Sequence, residues 1–269
     1  MRPLSELFAD SPRGKEAVRA SVLLFDVDDT VTRDGVLEAC SLDAMFRAKA
    51  AGIRLVAVTG RPLGWAEVFA WTWPIDMAIG ENGAGWMWRE GRAFETHFDA
   101  SKDERSQHQV RLREVLVEVS EVLPQLARAG DSALRRCDVA WDIGETRQAS
   151  QEERETLRAI IVRHGLVASY SSIHAHAIAG DWNKARGATR ALLARFGMSA
   201  EEAKKTCVFV GDSGNDAAAF AYFDHSVGVS NVHASLATLT SKPKYVTEGA
   251  RGQGFAELVS HLIAARETR

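Results

Sequence analysis

The stretch Ser21-Val-Leu-Leu-Phe-Asp-Val-Asp-Asp-Thr-Val-Thr32 decides the fold. Val22 to Phe25 is an apolar run too short for a helix, and rich enough in β-branched and aromatic residues for a strand buried on both faces. Three carboxylates, Asp26, Asp28 and Asp29, follow at once. They stand where a parallel strand leaves its sheet at the carboxyl end, which is where open α/β sheets place their ligands. Asp and Thr after a strand also make turns and helix N-caps, and that reading suits one residue, such as Asp29. It does not account for the crowding. Like charges this close repel unless a cation neutralises them, so an oxygen-ligated divalent ion, magnesium foremost, is expected.

Downstream, Ser41 is positioned to cap a helix carrying Leu42, Met45, Phe46 and Lys49, with Gly52 at its end. Ile53 to Val58 reads as a second buried strand ending in Thr59-Gly60-Arg61-Pro62, and Met77 to Ile79 as a third ending in Gly80-Glu81-Asn82-Gly83-Ala84-Gly85. The texture then changes. A hairpin (Trp86 to Trp88, Ala93 to Thr96) is expected, then a helix through Leu112 to Leu126 and a strand over Asp138 to Ile143. A helix opened by the capping box Ser150 to Glu153 and two strands, Leu166 to Tyr170 and Ile173 to Ile178, complete this section. The order implies an inserted α+β unit over residues 85–180, with an α/β core in residues 1–84 and 181–269. Lys184 opens a helix with Ala185, Ala188, Leu192, Leu193 and Phe196 inward. Cys207 to Val210 is a fourth buried strand, ended by Gly211-Asp212-Ser213-Gly214-Asn215-Asp216. Ser226 to Val229, Tyr245 to Thr247 and a helix over Phe255 to Ala264 close the chain. The first twenty residues form an arm broken at Ser11-Pro12, to which no chemistry is assigned.

The chain of 269 residues has 33 basic and 36 acidic residues and a net charge of −3, so no global basic field attracts nucleic acid or an anionic membrane. Its three cysteines, Cys40, Cys137 and Cys207, are odd in number and widely spaced, as buried free thiols in a reducing compartment would be. Met1 to Arg19 lacks the apolar centre of a secretory signal, and no run is long enough to span a bilayer. A cytoplasmic location is expected; the oligomeric state is left open.

Three strand ends thus offer Asp26 with Asp28, Thr59, and Asp212 with Asp216, while Lys184 begins a helix shortly before the last group. These are parts for phosphoryl transfer: a carboxylate nucleophile, a metal site, and a hydroxyl and an ammonium for the equatorial oxygens. Asp26 is the expected nucleophile. Asp28, near other carboxylates, is the expected acid and base. Asp212 is expected to hold magnesium, assisted by Asp216 or Asn215.

These groups resemble, in order, the four motifs of the haloacid dehalogenase superfamily: Phe25 to Thr30, Thr59 to Pro62, Lys184, and Gly211 to Asp216. The resemblance covers nearly the whole chain. It implies a Rossmann-like parallel core, Asp26 as nucleophile and Asp28 as acid/base. It also implies magnesium bound by the Asp26 side chain, the Asp28 backbone carbonyl and Asp212, with Asp216 nearby. The insertion is similar to the α/β cap of sucrose-, trehalose- and mannosylglycerate-type phosphate phosphatases and Cof-like sugar phosphatases. The expected substrate is a small phosphorylated metabolite, a sugar phosphate foremost. Gly60, Arg61, Asn82 and Asn215 are candidates for contacting it from the core, and Arg136, Asp142 and His174 from the cap.

On the cap strands, Val139, Trp141 and Ile143 share one face and leave Asp138 and Asp142 on the other, joined by Arg136 if the strand starts earlier; Ser172, His174 and His176 alternate likewise, and a metal reading of the two histidines ranks low because no third ligand has suitable spacing. That polar face looks either into the crevice or to water. Trp65, Trp71, Trp73, Trp86 and Trp88 read mainly as packing residues rather than a sugar-stacking platform. Alternatives are a phosphotransferase or phosphomutase of the same superfamily and a catalytically silent binder. A phosphorylatable receiver module is set aside, because its acceptor Asp stands on a separate strand from its acidic pair.

Overall fold

The computed structural model describes residues 1–8, 21–237 and 239–267. The expected break at Ser11-Pro12 lies outside them. In chain order the strands are β1 (Arg2–Pro3), β2 (Val22–Phe25), β3 (Thr32–Arg33), β4 (Val36–Leu37), β5 (Arg54–Val58), β6 (Met77–Gly80), β7 (Gly85–Glu90) and β8 (Ala93–Phe98). They continue with β9 (Asp138–Asp142), β10 (Val167–Tyr170), β11 (His174–Ile178), β12 (Val208–Gly211), β13 (His225–Gly228) and β14 (Tyr245–Val246). The helices are α1 (Ala39–Ala50), α2 (Leu63–Thr72), α3 (Lys102–Val122), α4 (Gln151–Arg163), α5 (Lys184–Phe196), α6 (Ala200–Thr206), α7 (Ala217–Tyr222) and α8 (Arg251–Glu267).

A nine-stranded sheet runs β1-β14-β13-β12-β2-β5-β6-β7-β8. It is parallel from β1 to β6, and β7 and β8 join antiparallel at the β6 edge. Both faces of β2 are covered, as its unbroken apolar run requires. Leu23 and Phe25 pack with Met45, Phe69, Phe255 and Leu258 on the side of α1, α2 and α8, whereas Val22 and Leu24 pack with Ala188, Leu192 and Phe220 on the side of α5 and α7. The result is a three-layer α/β sandwich, the α/β class expected from the sequence.

A second sheet, β10-β11-β9, is antiparallel. Val139, Trp141, Ile143, Ala175 and Ala177 pack from it against Leu112, Val115 and Val119 of α3 and Leu157 and Ile161 of α4. The face expected to be apolar is the one that the helices cover. Both helices begin with capping boxes, Ser101 with Glu104 and Ser150 with Glu153.

The expected inserted unit is redrawn at one point. The hairpin β7–β8 extends the nine-stranded sheet rather than the small one. After β6 the chain passes through three residues with positive φ, Glu81 (48°), Asn82 (56°) and Gly83 (106°), and returns with Gly85 paired to Gly80. The free edge of β6 is thereby filled, and Trp86 and Trp88 are buried on it. Trp71 stacks on Phe94 and Trp73 on Phe69, as packing residues.

Smaller differences have local causes. Glu38, not Ser41, precedes α1, and the Ser41 hydroxyl donates to the Val31 carbonyl. Leu193 is exposed rather than inward, and Phe46 is exposed while Met45 beside it is buried. Cys137 and Cys207 are buried free thiols, whereas Cys40 is only half-buried. Among the described residues no helix is long and apolar enough to cross a membrane.

One buried side chain fixes the turn after β6. The Glu81 carboxylate accepts from the amide of Leu63 at the start of α2 (3.0 Å) and from those of Arg136 (2.8 Å), Cys137 (2.5 Å) and Asp138 (3.0 Å) at the start of β9. Replacing it with Ala would leave these amides without an acceptor. Glu81→Ala is expected to cost about 3 kcal/mol or more in urea unfolding. Glu67→Ala, which removes only a surface pair with Arg136, is expected to cost less than about 1 kcal/mol.

Candidate active site

The sheet order places β12, β2, β5 and β6 side by side, so that Asp26, Thr59, Glu81 and Asp212 all emerge at neighbouring carboxyl ends. β2 is the switch point, with β5 on one side and β12 on the other, the position expected for a ligand crevice. The Asp26 amide extends the ladder by donating to the Val210 carbonyl (2.9 Å), which holds the first carboxylate beside the strand that carries Asp212.

Lys184, the first residue of α5, is fully buried. Its Nζ donates to Asp26 Oδ1 (2.5 Å) and Asp216 Oδ1 (2.7 Å). The other Asp216 oxygen accepts from the amides of Asp212 (2.9 Å) and Ser213 (3.0 Å), so Asp216 shapes the loop after β12 as well as pairing with the lysine. The position of α5 depends on a glycine contact: a Cβ at Gly187 would lie 2.3 Å from the Gly83 Cα.

Asp26, Asp212 and Asp216 each offer an oxygen within 4.8 Å of the others, all buried. One ammonium faces three carboxylates. Burial, and after it the carboxylates of Asp216 and Asp28, push Asp26 up to about 8 against the pull of Lys184. Burial and then Asp26 likewise raise Asp212 well above the ordinary range. Asp212 Oδ1 is buried with no hydrogen-bond partner, while Oδ2 accepts from Asn231 Nδ2 (3.2 Å). An unsatisfied oxygen in an acidic, oxygen-only group fits a hard divalent cation.

Asp28 is held apart from this group. Arg61 Nε lies 3.0 Å from each of its oxygens and Nη2 lies 2.8 Å from Oδ1. Arg61 Nη1 meanwhile reaches Asp131 (3.3 Å) and Glu145 (3.0 Å), which flank β9 on the second sheet's unit. One buried guanidinium thus ties the site to the cap. The Thr59 hydroxyl accepts from the Arg61 amide (3.0 Å), not from the start of α2.

Asn215 Nδ2 donates to Asn82 Oδ1 (3.0 Å), joining the loops after β12 and β6. A Cβ at Gly60 would lie 3.2 Å from Asn215 Nδ2, Asn82 Oδ1 and His176 Nε2, so glycine permits these groups to close over the site. A narrow cleft over Asp26 is lined by Asp28, Gly60, Ser172, His174, His176 and Asn215. It adjoins a cavity of about 380 Å³ that includes Asp28, Asp29, Arg61, Glu145, Ser172 and Arg251. The polar face of the small sheet therefore looks into the crevice.

Two residues expected as cap contacts engage other partners. Arg136 pairs at the surface with Glu67 (3.2 Å), because β9 begins only at Asp138 and its alternation does not reach back to residue 136. The inner position belongs to Arg135, whose Nη1 donates to the Gly60 carbonyl (3.1 Å) and Asp138 (2.9 Å). Asp142 is saturated by the amides of Gly144 (3.0 Å), Glu145 (2.7 Å) and Thr146 (3.0 Å) and by the Thr146 hydroxyl, so it shapes its own loop. His174 lines the cleft, with Nε2 2.9 Å from Glu145.

Sequence reasoning missed Asn231, which donates to the Asp29 carbonyl (2.9 Å) and Asp212, and Arg251, whose Nε is 2.9 Å from Asp29. Asn231 had a signal, a polar residue just past the carboxyl end of β13; Arg251 had none. It also left out Ser213 and Glu145, gave Asp138 no role beyond its strand face, and weighed for His176 only a low-ranked metal role.

A family model described as sucrose-6F-phosphate phosphohydrolase matches residues 19–262. Among solved structures, the sucrose-phosphatase from Synechocystis sp. PCC6803, in complex with sucrose and phosphate, superposes with a TM-score of 0.64 at 16% identity, covering 91% of this chain and 98% of that one. A putative HAD/COF-like hydrolase from Plasmodium vivax gives a TM-score of 0.68 at 17% identity, with 97% and 99% covered. A haloacid dehalogenase-like hydrolase from Bacteroides thetaiotaomicron gives 0.64 at 15%, with 90% and 99% covered. At these identities the structures establish the fold, and the family match extends over most of the sequence. The chain belongs to the sucrose-6F-phosphate phosphohydrolase family of the haloacid dehalogenase superfamily.

Proposed function

We propose that the protein is a magnesium-dependent phosphomonoesterase acting on a small phosphorylated metabolite, a sugar phosphate. The observation that carries this reading is the buried Lys184 ammonium between Asp26 and Asp216, with the unsatisfied Asp212 oxygen beside them. Residues 1–84 and 181–269, with the hairpin β7–β8 that extends their sheet, are read as the catalytic core, and the segment containing α3, α4 and the small sheet as the cap.

Asp26 attacks phosphorus in line, forming an acyl phosphate as the bond to the ester oxygen breaks. Asp28 gives its proton to that oxygen, and the alcohol leaves. Asp28 then takes a proton from water as the water oxygen attacks phosphorus, which releases phosphate and restores Asp26. In the present arrangement both Asp28 oxygens accept from Arg61, so Arg61 must let go before Asp28 can hand on a proton. Lys184 keeps Asp26 oriented and offsets the charge of an arriving phosphate. Asp26, Asp212 and Asp216, with the Asp28 carbonyl, would hold magnesium, which when bound supplies positive charge for the phosphoryl oxygens. The contacts of Arg61 and Arg135 across the crevice support a cap that opens for substrate and closes to exclude water.

Phosphate release from 4-nitrophenyl phosphate and from sugar phosphates is expected to require magnesium and stop with chelator. Asp26→Asn is expected to lower it at least about 10³-fold. Undiminished release by the variant would refute the mechanism, and no release by the wild type from any ester would refute the activity.

A second expectation concerns stability. A carboxyl whose folded pKa is raised binds its proton more tightly when folded, so its contribution is lost as pH rises, here from about 4 to about 8. In metal-free protein Asp26→Asn is therefore expected to raise the melting temperature, and by more at pH 8 than at pH 5. Magnesium should raise the wild-type value more than that of the variant, as read by thermal melts at both pH values.

A further inference from the structure

On β11 the His176 side chain is fully buried, and its Nε2 has no hydrogen-bond partner. Leaving a ring nitrogen so placed is costly unless something arrives to meet it. The atom is aimed at the core: it would lie 3.2 Å from a Cβ on Gly60, and the ring lines the cleft over Asp26. Close by, the Ser172 hydroxyl is also buried without a partner.

The other side of the ring decides what Nε2 can do. Nδ1 lies 2.9 Å from Asp138 Oδ2. Asp138 is held as a carboxylate by Arg135, whose Nη1 is 2.9 Å from its other oxygen, and it accepts without donating. The 2.9 Å contact with an acceptor-only carboxylate assigns the proton to Nδ1, over the longer 3.5 Å approach of Arg135 Nη1 to the same nitrogen. Burial, helped by the neighbouring Arg135, pushes the imidazole down to about 4 against the pull of Asp138, so the ring is neutral near pH 7. Nε2 then presents a lone pair. A lone pair repels the oxygens of a phosphoryl group, which are themselves acceptors, and is satisfied by a donor. It also lies outside the group of residues that could hold a metal, which among the described residues is Asp26, Asp212 and Asp216 alone.

We propose that His176, oriented by Asp138 and Arg135, selects hydroxylated leaving groups by accepting a hydrogen bond at Nε2 from a substrate hydroxyl near the ester. The inference rests on the phosphatase reading and adds the residue and the chemistry of discrimination: a polyol or sugar ester is favoured over an ester with no donor beside phosphorus. Arg135 and Asp138 are positioning residues, because they act through the imidazole. A site built to accept from a hydroxyl discriminates against a ligand that lacks one, since the buried acceptor then stays unpaired.

The test compares kcat/KM for sucrose 6-phosphate and glucose 6-phosphate with that for 4-nitrophenyl phosphate, in the full chain with magnesium. In His176→Leu the ratio of the better sugar ester to the aryl ester is expected to fall about 10- to 100-fold. His176→Gln, which restores an acceptor near the Nε2 position, is expected to recover part of the ratio. Asp138→Asn frees the ring to turn its donor toward the cleft and is expected to lower the ratio in the same direction; it decides the matter if His176→Leu does not fold. An unchanged ratio, an equal loss on both kinds of ester, or a wild type that hydrolyses only the aryl ester would overturn the proposal while leaving the phosphatase reading intact. Absence of magnesium-dependent release from all three esters would overturn that reading itself.

Discussion

The site depends on burying one ammonium between carboxylates from separate parts of the chain. Lys184 Nζ meets Asp26 from the end of β2 and Asp216 from the loop after β12, and all three side chains are almost wholly removed from water. Buried charges are costly unless each is paired and hydrogen-bonded. The pairing here holds only if α5, β2 and β12 keep their mutual positions. Apolar packing on both faces of β2 and the glycine contact between Gly187 and Gly83 supply that constraint. With one cation for three acids, the cluster retains a demand for positive charge of the kind a hard divalent cation meets.

Two further buried groups extend this order outward. Glu81 gathers amides from the start of α2 and the start of β9, so the turn that begins the hairpin also fixes where the small sheet enters. Its positive φ, together with that of Asn82, is a strained arrangement for residues with side chains, and the amides it satisfies offset that strain. Arg61 then links Asp28 to Asp131 and Glu145. A single guanidinium thus joins the Asp28 carboxylate to the residues that flank β9.

Asp26, Thr59, Lys184, Asp212 and Asp216 were legible because each stands at the end of a buried apolar run or the start of an amphipathic helix, positions that local sequence marks. The polar face of β9 and β11 was legible from alternation alone. Arg136 was misplaced because alternation was carried two residues beyond the start of the strand. Asp142 was read as a ligand contact because a carboxylate free to meet a ligand and one that accepts from the amides of Gly144, Glu145 and Thr146 look the same in sequence. The hairpin β7–β8 was assigned to the inserted unit because its residues show that they pair with each other, not which sheet edge receives them.

The sequence by itself determined the parallel α/β core, the positions of the chemistry-bearing strand ends and the existence of a second, mixed unit. Periodicity, apolar runs and turn residues act over a few neighbours, and these features are local. Tertiary structure alone decided that Arg61 bridges core and cap, that Arg135 rather than Arg136 faces inward, that Asn231 and Arg251 reach the first loop, and that His176 holds an unpaired nitrogen over Asp26. Those facts depend on contacts between residues tens to hundreds of positions apart, set by sheet order and by which buried polar atoms find partners when the layers close.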